Sequence, residues 1–260
     1  MKTKVIIQNL AFILLVVSAT VKAEVSNMED AEKQIDSISE QIDKNNKDAA
    51  LYVHRGELYF EINEFDSAVE DFSMAIKLDN SLDAAWFGRG MAHGRMGFIN
   101  EGIADLSVYI ERNPNDSKAL TKRGVRHLWK GNKLNAQRDL QKAIEINPDN
   151  AEAHDDLGVV LSQLGDYKQA IEHFSKTVSI DPSYQKGHHN LAMALYITEN
   201  DLLALASVNK SLALKPDSRN SLLLKSKIFA AMGRHIEARQ LEDEAEFLPE
   251  ANWSESVSIE

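Results

Sequence analysis

The feature that most constrains this chain is the spacing of its prolines. Pro114, Pro148, Pro182 and Pro216 recur every 34 residues, Pro249 follows after 33, and the 260-residue sequence has no other proline. Punctuation this regular marks an internal repeat. Units begin at Ala49, Asp83, Ser117, Ala151, Gln185 and Arg219 without an insertion. Within each unit, apolar or small residues fall at positions 4, 7, 8 and 11, and again at 20, 24, 27 and 28. That is helical spacing twice over, so each unit reads as two antiparallel amphipathic helices. Position 15 is Asn63, Gly97, Gly131, Gly165, Glu199 and Gly233, mostly residues that tolerate the left-handed conformation ending a helix. The proline at position 32 closes the second helix, because it has no N–H to continue the ladder.

The sequence resembles the tetratricopeptide repeat family, whose pattern runs Trp, two residues, Leu-Gly, two residues, Tyr, then Ala, three residues, Phe, then Pro. The fourth unit matches through Leu157, Gly158, Ala170, Phe174 and Pro182, the second through Trp86, Gly90 and Pro114, the first through Tyr52, Gly56, Tyr59, Ala68 and Phe72. Position 8 is always small: Gly56, Gly90, Gly124, Gly158, Ala192 and Ser226. The departures are Gly102 at the usual alanine, Glu199 at the turn of the fifth unit and Glu242 at the aromatic of the sixth. The resemblance implies an all-α, right-handed superhelical solenoid of six repeats, 49–82, 83–116, 117–150, 151–184, 185–218 and 219–248. Such stacks need capped ends. Residues 24–48 supply an extra N-terminal helix with the apolar stripe Met28, Ala31, Ile35, Ile38 and Ile42; the last helix is polar around Ile236, Leu241 and Phe247. An acidic tail, 249–260, follows, and its Trp253 has the option of folding back onto that helix.

Residues 1–23 have two leading lysines, an apolar run densest from Leu10 to Val17, and Val21-Lys22-Ala23 before a polar change, the three regions of a cleavable secretory signal. Export to the periplasm or outside the cell is expected, the alternative being an uncleaved anchor that tethers the chain to a membrane. Once the signal is removed, no stretch has the length of about 20 apolar residues that a stable span needs. The mature chain has 26 basic against 40 acidic side chains, a formal charge of −14, which repels phosphate backbones and excludes nucleic acid as an expected partner. With 43% hydrophobic and 27% charged residues the composition is that of a folded chain, and with no cysteine its stability rests on packing rather than disulfides.

The stretch 147–158, NPDNAEAHDDLG, concentrates Glu152, His154, Asp155 and Asp156. In register, His154 takes the aromatic slot between the two helices, and the acids occupy the start of a helix, where they complement its dipole. His93 and His127 share position 11, and His154 and His188 share position 4. Equivalent residues of adjacent units stand about 8–10 Å apart, too far to share a metal ligated at about 2 Å. No unit carries a phosphate-cradling glycine loop or a nucleophile signature, so no catalytic residue, cofactor or metal is expected and the chain reads as a non-enzyme. Arg55, Arg89 and Arg123 at position 7 occur with Asp71, Asp105 and Asp139 at position 23, and both are lost together in later units. That co-occurrence predicts an ion pair joining the helices of one unit.

In the resembled family, positions 2, 5, 6, 9, 12 and 13 of the first helices line a concave groove that receives extended peptides or partner helices. The candidate protein-binding residues are Phe87, Met91, Arg95, Val125, Leu128, Trp129, Val159, Met193 and Tyr196, with Lys122 and Asp155 setting orientation. The family's carboxylate clamp is not matched: the corresponding positions hold Val53, Glu57, Gly88, Lys118 and Lys122. Its asparagine ladder is missing too, position 6 having only Asn190. The expected function is an exported scaffold or adaptor that binds a peptide or helix of an envelope protein. An alternative is a periplasmic chaperone or assembly factor holding exported chains. A monomer or weak homo-oligomer is expected.

Overall fold

The structure is a computed structural model that describes residues 28–249; the signal region and the tail with Trp253 lie outside the described residues. Those residues form thirteen α-helices and no strand, in two units, the first ending at Arg112 and the second beginning at Asn113. The first unit holds α1 (28–44), α2 (Ala49–Glu61), α3 (Phe65–Leu78), α4 (Asp83–Arg95) and α5 (Ile99–Arg112). The second holds α6 (Ser117–Trp129), α7 (Lys133–Ile146), α8 (Ala151–Gln163), α9 (Tyr167–Ile180), α10 (Gln185–Ile197), α11 (Asp201–Leu214), α12 (Arg219–Ala231) and α13 (His235–Glu246). Every first helix starts at position 1 of its repeat, so proline spacing and helix register coincide.

Local chemistry sets these boundaries. Asp48, Asp116, Asn150 and Ser218, all at position 34, accept a hydrogen bond from a backbone N–H in the first turn of the helix that follows. At position 15 the chain turns through positive φ six times, at Asn63, Gly97, Gly131, Gly165, Glu199 and Gly233. Glu199, at φ 59°, is the costly member, since a Cβ in this region strains against the backbone.

Two kinds of contact hold the hairpins shut, the second in the first three repeats only. The first is close approach at position 8. A Cβ added at Gly158 would lie 2.5 Å from the ring of Phe174, and one at Gly124 would lie 2.9 Å from Leu140. Where the opposing residue is smaller, position 8 is larger: Ala192 faces a repeat with Val208 at position 24, and Ser226 donates a 2.9 Å hydrogen bond to Glu242. The second contact is the ion pair expected at positions 7 and 23. Arg55 binds Asp71 through Nε and Nη2 at 2.7 and 2.8 Å. Arg89 and Asp105, and Arg123 and Asp139, repeat the fork. The remaining nitrogen links repeats, Arg55 Nη1 reaching Ser39 of α1 and Arg89 Nη1 reaching Ser73 of α3.

In the first unit, Ala31, Ile35, Ile38 and Ile42 of α1 are buried in one cluster with Tyr52, Leu58 and Phe72, while Met28 stands half exposed. In the second, successive hairpins pack α7 on α8, α9 on α10 and α11 on α12, and the first helices α6, α8, α10 and α12 lie side by side. The last helix is largely solvent-facing: α13 buries Ala238 and Ala245, while Ile236 and, at its C-cap, Phe247 face solvent. No described hairpin follows it, and Glu242 meets α12 through Ser226.

Two outcomes follow for stability. Arg55→Leu and Asp71→Leu should each lower unfolding free energy by about 3 kcal/mol, because each strands the buried charge of its partner; the double variant should lose less than the sum in urea titration. Glu199→Gly should raise stability by about 1 kcal/mol by relieving the left-handed position, read as a higher urea midpoint.

Candidate protein-binding face

The nine sequence-derived residues divide between the two units. In the first, Phe87 and Met91 of α4 are half buried, the Phe87 ring 5.1 Å from that of Tyr109 on α5. Arg95 is exposed, with its guanidinium 5.1 Å above the ring of Phe65 on α3. Phe87 and Arg95 are thus already engaged within their own unit. In the second unit, Val125 and Trp129 of α6 and Met193 and Tyr196 of α10 are half buried on the first-helix side. Val159 and Leu128 are corrections: Val159 is 0% exposed and Leu128 5%, so both pack internally and neither offers its side chain to a ligand. The reason lies in α8, which packs against α6, α7, α9 and α10 and buries every residue from Ala153 to Ser162.

That burial changes the meaning of the acidic stretch. Of its carboxylates only Glu152 lies in the first turn of α8. Asp155, 0% exposed, and Asp156 sit on the second turn, against α10. Asn190 Nδ2 donates to Asp155 Oδ1 at 2.9 Å. Lys186 Nζ stands 3.4 Å from Asp155 Oδ2 and 3.9 Å from Asp156 Oδ1, one ammonium shared between two acids at more than charge-assisted hydrogen-bond length. Lys122 of α6 pairs with Glu152 instead. Arg126, nearly fully buried, donates through Nη1 to the Lys122 carbonyl at 2.7 Å, and burial draws its guanidinium down to about 10.

The electrostatics follow from this crowding. Burial raises the Asp155 carboxyl against the pull of Lys186 and Asn190, and pushes that of Asp156 up to about 7. Tyr184, beside the same acids, is also raised, by burial first and then by their charges. Lys186 is raised on balance, its carboxylate neighbours outweighing its burial.

The histidines have different partners from those their repeat positions suggest. His154 donates from Nε2 to the Pro148 carbonyl at 3.1 Å, which leaves Nδ1 to accept from His173 Nδ1 at 2.9 Å, within one hairpin. Tyr52, Trp86 and His188, also at position 4, donate likewise to a carbonyl six residues earlier. Burial lowers both His154 and His173. His93 Nδ1 lies 3.0 Å from Asp105 Oδ2. His189 meets Ser221 Oγ of α12 at 3.0 Å, and burial, reinforced by Lys186, draws it down to about 4. Among the described residues, no group of three or more His, Asp or Glu side chains is placed to hold a metal ion.

Comparison with known proteins agrees with this geometry. Tetratricopeptide repeat family models match residues 49–82 and 140–172. The chain carries tetratricopeptide repeats. A tetratricopeptide repeat protein from Parabacteroides merdae superposes with a TM-score of 0.69 at 18% identity, over 87% of this chain and 90% of the other. Pseudomonas aeruginosa pilF gives 0.68 at 16% identity, over 77% and 92%. YrrB, described as a TPR protein with an unusual peptide-binding site, gives 0.58 at 23% identity, over 71% and 95%. At these identities the likeness is one of fold. No curated protein sequence matches the chain.

The buried imidazole gives this repeat protein a pH dependence of known sign. His189 ordinarily titrates near 6.5 and in the folded chain near 4, so the unfolded chain binds the extra proton between those values. Its contribution is therefore complete above about 6.5 and is lost as pH falls toward 4, up to about 3 kcal/mol. His189→Leu should remove that part: the stability difference between the native sequence and the variant, measured by urea unfolding, should shift against the native sequence from pH 7 to pH 4.

Proposed function

We propose that this tetratricopeptide-repeat protein is an exported scaffold that binds an extended segment or helix of another envelope protein on its first-helix face. The repeat fold is that of protein–protein interaction scaffolds, which are generally not enzymes. The observation that carries the reading is the partial exposure of Val125, Trp129, Met193 and Tyr196 on the first helices of the second unit, where contact with water alone would favour polar side chains. An aromatic and aliphatic patch beside charged groups is the composition of a binding hot spot. The peptide-binding site in the description of YrrB supports the same class of partner.

The remaining first-unit candidates, Phe87, Met91 and Arg95, belong to this proposal as a secondary contact region. Export rests on the signal-like residues 1–23. Among the described residues, no helix is long and apolar enough to cross a membrane. Trp129→Ala should cut capture of envelope proteins by the immobilised chain at least tenfold while its helical circular dichroism stays unchanged. Capture that is equal for both forms would remove this face from the account. Broad capture of unfolded exported chains, in place of a few selected proteins, would favour the holding-chaperone alternative.

A further inference from the structure

One group on the second unit's first-helix face is left over by the packing. Asp155 Oδ2, Asp156 Oδ2 and Asn190 Oδ1 are buried with no hydrogen-bond partner. Asn190 is 1% exposed, and the hydrogen bond from its Nδ2 to Asp155 Oδ1 sets its amide against the acidic pair. Native interiors rarely leave such atoms unpaired, and each costs its desolvation when nothing meets it.

All three are acceptors. They lie on adjacent first helices, α8 and α10, at repeat positions 5 and 6, the face proposed above to receive a partner. What completes them must bring several N–H donors, and positive charge satisfies the two acids at once. An anion or a free C-terminal carboxylate brings neither. Lys186 meets the need only in part, since its single ammonium spans both acids at 3.4 and 3.9 Å. Lys122 is committed to Glu152. The cluster reaches solvent beside Glu152 and Lys186, whose side chains are partly exposed. A planar guanidinium with five donors fits paired carboxylate and amide oxygens better than an ammonium does.

We infer that Asp155, Asp156 and Asn190 form a receptor for a cationic side chain, arginine before lysine, carried by the bound segment. The inference rests on the reading of this face as a partner-binding surface and gives that partner its charge. It also gives binding a pH signature. The carboxyl of Asp156, which burial pushes up to about 7, must lose its proton to pair with the incoming cation, so affinity rises with pH through that region.

The test uses the full chain and a panel of nine-residue peptides, capped at both ends, with randomised flanks and arginine, lysine, citrulline or glutamate at the centre, followed by fluorescence anisotropy. Arginine-centred peptides should bind at least tenfold more tightly than citrulline-centred ones. That preference should disappear in Asp156→Asn and in Asn190→Leu, both with unchanged helical circular dichroism. Affinity for arginine-centred peptides should rise between pH 5.5 and pH 8. Equal binding of arginine and citrulline centres, with loss in Trp129→Ala, would overturn the cation receptor and leave the binding face intact. Binding by no peptide of any centre would overturn both.

Discussion

The architecture depends on how closely two helices of one hairpin approach each other. Position 8 has no side chain in four repeats because the ring or isobutyl group at position 24 occupies that space, as Phe174 does beneath Gly158 and Leu140 beneath Gly124. Phe174 and Leu140 are fully buried, so neither has room to yield. This contact fixes which face of each helix is hidden, and the forked Arg–Asp pair at positions 7 and 23 fixes it again in the first three repeats. A net charge well below zero and the absence of cysteine leave such packing and pairing as the sources of stability.

Most of this was legible in the sequence because it is local and repeated. Proline spacing gave the register, the small residue at position 8 gave the close approach, and the shared loss of Arg and Asp after the third repeat gave the ion pair. Features that depend on two neighbouring repeats at once were harder to read. Val159 looked like an exposed apolar residue because the pattern of one hairpin puts position 9 on the open side. In the structure α6 and α10 close over α8 from both sides. Asp155 and Asp156 looked like helix-start acids for the same reason; the signal that separates them from Glu152 is their register with Lys186 and Asn190, one repeat later at positions 2 and 6. The pairing of His154 with His173 had a weaker trace: His173 stands where other repeats have Asp, and Leu157 where they have Arg.

On the proposed reading, the acidic pair connects folding to binding. The second unit keeps three buried acceptors incompletely satisfied on the first-helix side, where Val125, Trp129, Met193 and Tyr196 are half buried. Replacing Asp156 by an apolar residue of similar size would remove that desolvation cost. The same neighbourhood carries the depressed His189 beside the raised Asp156, so the charge of this cluster changes with pH between about 4 and 7.

The claim that close approach at position 8 governs each hairpin is tested most directly by alanine scanning of that position within the second unit, with unfolding free energies from urea titration. Gly158→Ala, which meets Phe174 at 2.5 Å, should destabilise more than Gly124→Ala, which meets Leu140 at 2.9 Å, and both should lose about 1–3 kcal/mol. Ala192→Gly should cost only about the 1 kcal/mol of helix propensity. Alanine tolerated at both glycines, with the helix-propensity gain and no loss, would contradict the account.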